Sequence, residues 1–173
     1  MNEPESVPLV SVVTRNGQFA VVARVDIKKE TCVLAIDGPT VDRPTRYTVQ
    51  VGVDMHVDAE ADPKTGRPHP IWRFLNHACA PNTRLDARSL VATRRIRAGE
   101  EITFDYETTE WDMAAPFPCG CNAATCRGLI RGFRHLTPAQ RQRLAGAAPH
   151  VLAAAATPAP AQAPVRRARG SAR

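Results

Sequence analysis

Apolar and polar residues alternate along "LVSVVTRNGQFAVVARV", on both sides of Asn16-Gly17. A period of two with many β-branched side chains predicts paired strands. Asn and Gly both tolerate the positive φ that a two-residue hairpin turn demands. "TCVLAID" predicts a third strand, ended by Gly38-Pro39, and "TRYTVQVGVDMHVD" predicts one or two more. Alternation stops in "AEADPKTGRPHP", whose three prolines and one glycine mark a loop. Beyond it, "TRLDARSLVATRRI" reads as a second hairpin. "EEITFDY" reads as a strand entered through the turn "RAGE".

Two segments echo each other. "VARVDIKKETCVL" and "VATRRIRAGEEIT" place Ala23 with Ala92 and Ile27 with Ile96, at one offset of 69 residues. Two copies are too few for a solenoid, so the echo predicts two similar strand–turn–strand corners. The helical pattern is confined to "LTPAQRQRLAGAAPHVLAAAA". There Thr137 can cap, Pro138 suits the first turn, and Gly146 and Pro149 break the run. The prediction is a mostly β domain followed by a short helix and a tail.

Composition narrows the setting. The 173 residues suffice for one core plus a tail, and hydrophobic residues make up 43%. No apolar run approaches a membrane span, so no membrane partner is expected. The acidic start "MNEPESVPLV" lacks the pattern of a signal peptide. A cytoplasmic location is therefore expected, with a secreted effector that needs no such signal as the alternative. Net charge is +6, but four arginines and no acid lie from Thr157 onward. That Ala/Pro/Arg tail has nothing to bury and is expected to be disordered. Nucleic acid is an unfavoured partner except weakly through the tail, because only 5% of residues are aromatic.

Of the five cysteines, three stand in "CGCNAATC" as Cys119, Cys121 and Cys126. Three thiolates make an incomplete structural zinc site, since zinc there takes four ligands in a tetrahedron. The alternative, a pair of disulfides, is disfavoured in a reducing compartment. Cys32 and Cys79 are the candidates for the fourth ligand. Cys32 lies inside an apolar strand and reads as a small core residue. Cys79 lies in the polar part of "WRFLNHACAPNTRL", before Ala80-Pro81, and is the expected ligand. It would dock the C-terminal segment over Asn76 and His77. Taken alone, Asn76 and His77 read better as a satisfied buried polar pair, and Phe104 and Tyr106 are readable as core.

"RFLNHACAPN", then "AGEEITFDY", then Cys-x-Cys-x4-Cys-Arg-Gly, in that order, resemble the SET domain with its post-SET zinc module. This is a family of protein-lysine methyltransferases, and the compact size resembles its short bacterial members. "VDA" at Val57–Ala59 is similar to the segment that precedes the first motif. The resemblance implies a β-clip of small sheets with a knot-like C-terminal crossing. It divides the chain into a SET domain over residues 7–112, a post-SET zinc segment over 113–134, a C-terminal helix over 135–156 and the tail over 157–173. It implies S-adenosylmethionine and Zn2+ as cofactors and a lysine-bearing protein as partner. By resemblance, Asn76, His77, Gly17, Phe19, Leu129 and Tyr106 contact the cofactor. Tyr106 and Phe104 serve the reaction, and Cys79, Cys119, Cys121 and Cys126 hold the metal.

That assignment is chemically coherent. A neutral amine must attack a sulfonium-bound methyl in line, which is positioning work in a site stripped of water. A phenol with a pKa of about 10 is a poor base at neutral pH, so Tyr106 is read as an orienting group. Departures from the family pattern are also present. Gln18 and Ala20 stand where a Gly-x-Gly is usual, Ala78 replaces a serine, and Glu30 stands where the second corner keeps Gly99. The missing Gly-x-Gly favours the competing function, a weak or inactive SET-like module that binds a protein without turnover, whereas Tyr106, Asn76 and His77 favour the enzyme.

Overall fold

The computed structural model describes residues 8–61, 66 and 68–157. Residues 1–7, residues 62–65 and 67 of the proline-rich loop, and the tail from residue 158 lie outside it. Among the described residues no helix is long and apolar enough to cross a membrane.

Among the described residues, five small sheets make up the body. Strands β1 (Val10–Arg15) and β2 (Gln18–Ala23) form the predicted hairpin, with Asn16 and Gly17 at φ +50° and +77°. Strand β3 (Cys32–Ala35) pairs with β9 (Ser89–Ala92), which pairs with β8 (Thr83–Asp86). A third sheet orders β4 (Thr40–Val41), β6 (Met55–Asp58) and β5 (Thr48–Gly52). The two-residue β4, within "GPTVDRP", carries too little pattern to be anticipated. Strand β7 (Asn76–His77) runs parallel to β10 (Thr103–Phe104), and β11 (Phe117–Pro118) pairs with β12 (Leu129–Ile130).

The echoed corners bond to each other. Ile27 and Ile96 exchange backbone hydrogen bonds at 2.8 and 2.9 Å. The bond from Ala23 N to Glu100 O is matched, 69 residues on, by the bond from Ala92 N to Thr31 O. Likewise, Gly99 N donates to Ala23 O as Glu30 N donates to Ala92 O. The repeat is therefore a local two-fold axis, and both corners must turn through the left-handed region. Gly99 does so at φ +80° and Glu30 at φ +64°. Ile27, Ile96, Ile102, Leu90 and Val57 fill the core beneath this axis.

Three expectations are corrected. Cys32 is exposed, not core, because in β3 its neighbour Val33 takes the inward position. "EEITFDY" is a strand only at Thr103–Phe104. Asp105 then accepts from Glu107 N at 3.1 Å and caps a 3-10 turn over Tyr106–Thr108. The C-terminal helix is two: α1 (Pro138–Arg143), with a Thr137–Gln140 capping box, and α2 (Pro149–Ala156). Gly146, at φ +76°, lies in the break between them. Val151 of α2 packs with Phe133 and Leu136 as a second small core.

Nothing lies within 4 Å of a Cβ added to Gly99, so Gly99→Ala tests the backbone alone. Denaturant unfolding is expected to show a loss of about 1 kcal/mol, the usual penalty for a left-handed non-glycine residue.

Candidate functional site

The site grows from the parallel contact of β7 with β10. Asn82 fixes it from behind. Its buried amide donates to Glu101 O at 2.7 Å and accepts from Thr103 N at 3.0 Å. Asn76 and His77 are thereby set beside Thr103 and Phe104. The Asn76 amide donates to Phe19 O at 3.0 Å and to Glu101 Oε1 at 2.8 Å, so both donor directions serve the protein itself. This ties the β1–β2 hairpin to the site, with Phe19 left 58% exposed and its ring tilted against Phe74 at 5.1 Å.

His77 Nδ1 accepts from Tyr106 N at 3.2 Å, which assigns the proton to Nε2. Nε2 then donates to Cys79 Sγ at 3.3 Å. Burial, followed by the Arg127 charge, pulls the His77 pKa down to about 4, so the ring is neutral. It acts as a bridge from the Tyr106 backbone to the Cys79 sulphur.

Tyr106 donates its hydroxyl to Leu75 O at 2.5 Å, and its ring packs at 4.8 Å on Phe104 and 5.3 Å on His77. Burial, with the Glu110 and Glu101 carboxylates, pushes its pKa up. The phenol therefore stays protonated and can direct a hydrogen bond, but not remove a proton. Tyr106, Phe104, Trp72, Tyr47 and Glu110 wall a narrow cavity of about 60 Å³. A larger open cleft of about 470 Å³ lies between the cysteines and α1, and none of these aromatic residues reaches it.

Cys79, Cys119, Cys121 and Cys126 place their sulphur atoms within 4.8 Å of one another. Tetrahedral zinc with Zn–S bonds of roughly 2.3 Å needs sulphurs about 3.8 Å apart. Cys79 and Cys119 stand at 3.9 Å, and Arg127 N donates to Cys79 Sγ at 3.4 Å. All four thiols are unbridged, so the donor set suits a structural zinc ion. Cys32 stands apart from this group.

Sequence reasoning missed the latch beside it. The Arg127 guanidinium donates to Asp105 Oδ1 and Glu107 Oε2, both at 2.5 Å. Glu107, 1% exposed, also accepts from Arg131 N at 3.0 Å and Gly132 N at 3.2 Å. At Gly132, φ is +109° and a Cβ would meet Trp111 O at 2.7 Å. The segment after Cys126 is thus clamped onto the turn that carries Tyr106. Two acids flanking a tyrosine were the visible signal, but the partner lies 20 or more residues away. Gly17 forms the hairpin turn, and Leu129, in β12, is 48% exposed.

Comparison with known proteins bears on these residues. A family model described as "SET domain" matches residues 18–107, just over half of the chain. The chain is 31% identical over 98 residues to Methyltransferase flvH of Aspergillus flavus, covering 54% of this chain and 50% of that protein. It is 39% identical over 92 residues to a histone-lysine N-methyltransferase of Schizosaccharomyces pombe named as H3 lysine-4 specific, covering 49% and 9%. Against one of Chaetomium globosum named as H3 lysine-36 specific, identity is 40% over 70 residues, covering 36% and 8%. The chain therefore spans half or less of the length of these relatives.

Arg127→Ala would leave Asp105 and Glu107 buried without their cation. Chemical denaturation is expected to show a loss of about 3–5 kcal/mol, the range for breaking one side of a buried ion pair. A loss no larger than that of an exposed pair would contradict the clamp.

Proposed function

This chain belongs to the SET domain family, and from that premise we propose that it is a protein-lysine N-methyltransferase using S-adenosylmethionine. The observation that carries this reading is the protonated Tyr106 hydroxyl held on Leu75 O at the wall of an aromatic cavity. Relatives named for histone lysines support a protein lysine as the acceptor class.

The exposed Phe19 and Leu129 suit contact with an adenosyl group, beside backbone at Asn76 and His77 and the turn at Gly17. Bound there, the sulfonium supplies an electrophilic methyl. Tyr106 orients the amine through its hydroxyl and through the Leu75 carbonyl that the hydroxyl fixes. Phe104, 3% exposed, removes water from the cavity wall without offering a competing hydrogen bond. Cys79, Cys119, Cys121 and Cys126 would hold a zinc ion, which would fix the C-terminal segment against the site. His77 supports the Cys79 thiolate as a neutral donor, the role outer-shell groups play around metal ligands.

The test supplies labelled-methyl S-adenosylmethionine to the full chain with cell-lysate protein and locates the label by mass spectrometry. Label on lysine is expected. Tyr106→Phe is expected to cut transfer by about 10²-fold, with calorimetric donor affinity changed far less. Absence of donor binding in the unaltered protein would overturn the reading in favour of a non-catalytic module.

A further inference from the structure

Three carboxylates follow one another along the segment after Phe104, and their treatment differs. Asp105 and Glu107 share Arg127. Glu110 is 7% exposed, and among the described residues no ion pair includes it. Its Oε1 accepts from Gln50 N at 2.7 Å, and Glu110 is among the residues lining the cavity of Tyr106, Phe104, Trp72 and Tyr47. Gln50 in turn accepts from Trp111 N at 2.8 Å, so the backbone on both sides of the acid is fixed.

The charged groups around Glu110 are otherwise engaged or remote. Arg73, on the same cavity, pairs with Glu60 at 2.8 Å and stacks over Tyr47 at 3.6 Å. Arg46 also lines the cavity, with its guanidinium 5.7 Å from the Tyr47 ring. His150, reaching from α2, donates to Thr109 O at 2.7 Å, and the Tyr106 hydroxyl is committed to Leu75 O. Ala148 N, just before α2, donates to Thr108 O at 2.8 Å, so the C-terminal helix seals this segment from water. Burial lifts the Glu110 carboxyl to about 7. A buried carboxylate without a cation is costly unless a cation arrives from outside.

We propose that Glu110 receives the substrate's primary ammonium group and takes a proton from it. This rests on the methyltransferase reading of the same site. The methylene stem lies along Tyr47, Trp72, Phe104 and Tyr106, where aromatic faces favour a cation's approach. One N–H bond breaks and an O–H bond forms on Glu110. The electron pair stays on nitrogen, which becomes the neutral nucleophile. Burial favours this transfer from both sides, since it raises an acid's pKa and lowers an ammonium's. After product leaves, the carboxyl returns its proton to water.

The experiment uses the full chain and Glu110→Gln, which keeps the acceptor for Gln50 N. Calorimetry at pH 8 with n-butylammonium, a mimic of the lysine side chain, is expected to show binding at least tenfold weaker in the variant. Neutral n-pentanol is expected to bind both proteins alike. In methyl transfer, the wild-type rate is expected to rise with pH through about 7, and that limb is expected to vanish in the variant. Equal n-butylammonium affinity, or none in either protein, overturns the role of Glu110. Discrimination in binding without transfer to any protein overturns the methyltransferase reading instead, and leaves Glu110 as an ammonium site. If the glutamine variant does not fold, Glu110→Asp replaces it: at least threefold weaker binding is expected, and unchanged affinity overturns the role.

Discussion

One sulphur from the middle of the chain meets three from near its end, and the remaining features of the site depend on that meeting. Without it, the segment after Phe117 is left to the Arg127 clamp and to short contacts. Strands β11 and β12 are two residues each, and the second core holds three buried residues. A domain of five small sheets cannot fix a flap of this kind by hydrophobic burial alone. The thiolates supply the position, and the Arg127 clamp supplies the orientation.

The same joint passes directly into the chemistry. Cys79 accepts from His77, His77 accepts from Tyr106 N, and the Tyr106 hydroxyl rests on Leu75 O. A displacement at the cysteines would therefore move the phenol. On the other side of Tyr106, the backbone runs to Glu110, which forms no ion pair among the described residues, while Arg73 on the same cavity is paired with Glu60. Charge is handled in two ways within six residues. It is neutralised internally where structure is needed and left open where a cation is to be received.

Much of this was legible in the chain because it is local or arithmetic. Asn16-Gly17 fixed one hairpin through backbone sterics, and the 69-residue echo announced two corners that the structure joins about one axis. Zinc's need for four ligands drew attention to Cys79, which the structure brings beside the three later cysteines. What stayed hidden is long-range. Nothing near Arg127 shows that it closes on Asp105 and Glu107, and nothing near Glu110 shows that Gln50 N holds it. Asp105 misled because a capping side chain can end a strand that its neighbours favour. Cys32 misled because an apolar strand still has an outer face.

X-ray absorption at the zinc edge of the full chain tests the joint most directly. One equivalent of zinc with four sulphurs at about 2.3 Å is the result predicted here, falling to three sulphurs in Cys79→Ser. A metal shell that keeps the same sulphur count without Cys79, or protein that takes up no zinc, would contradict the account.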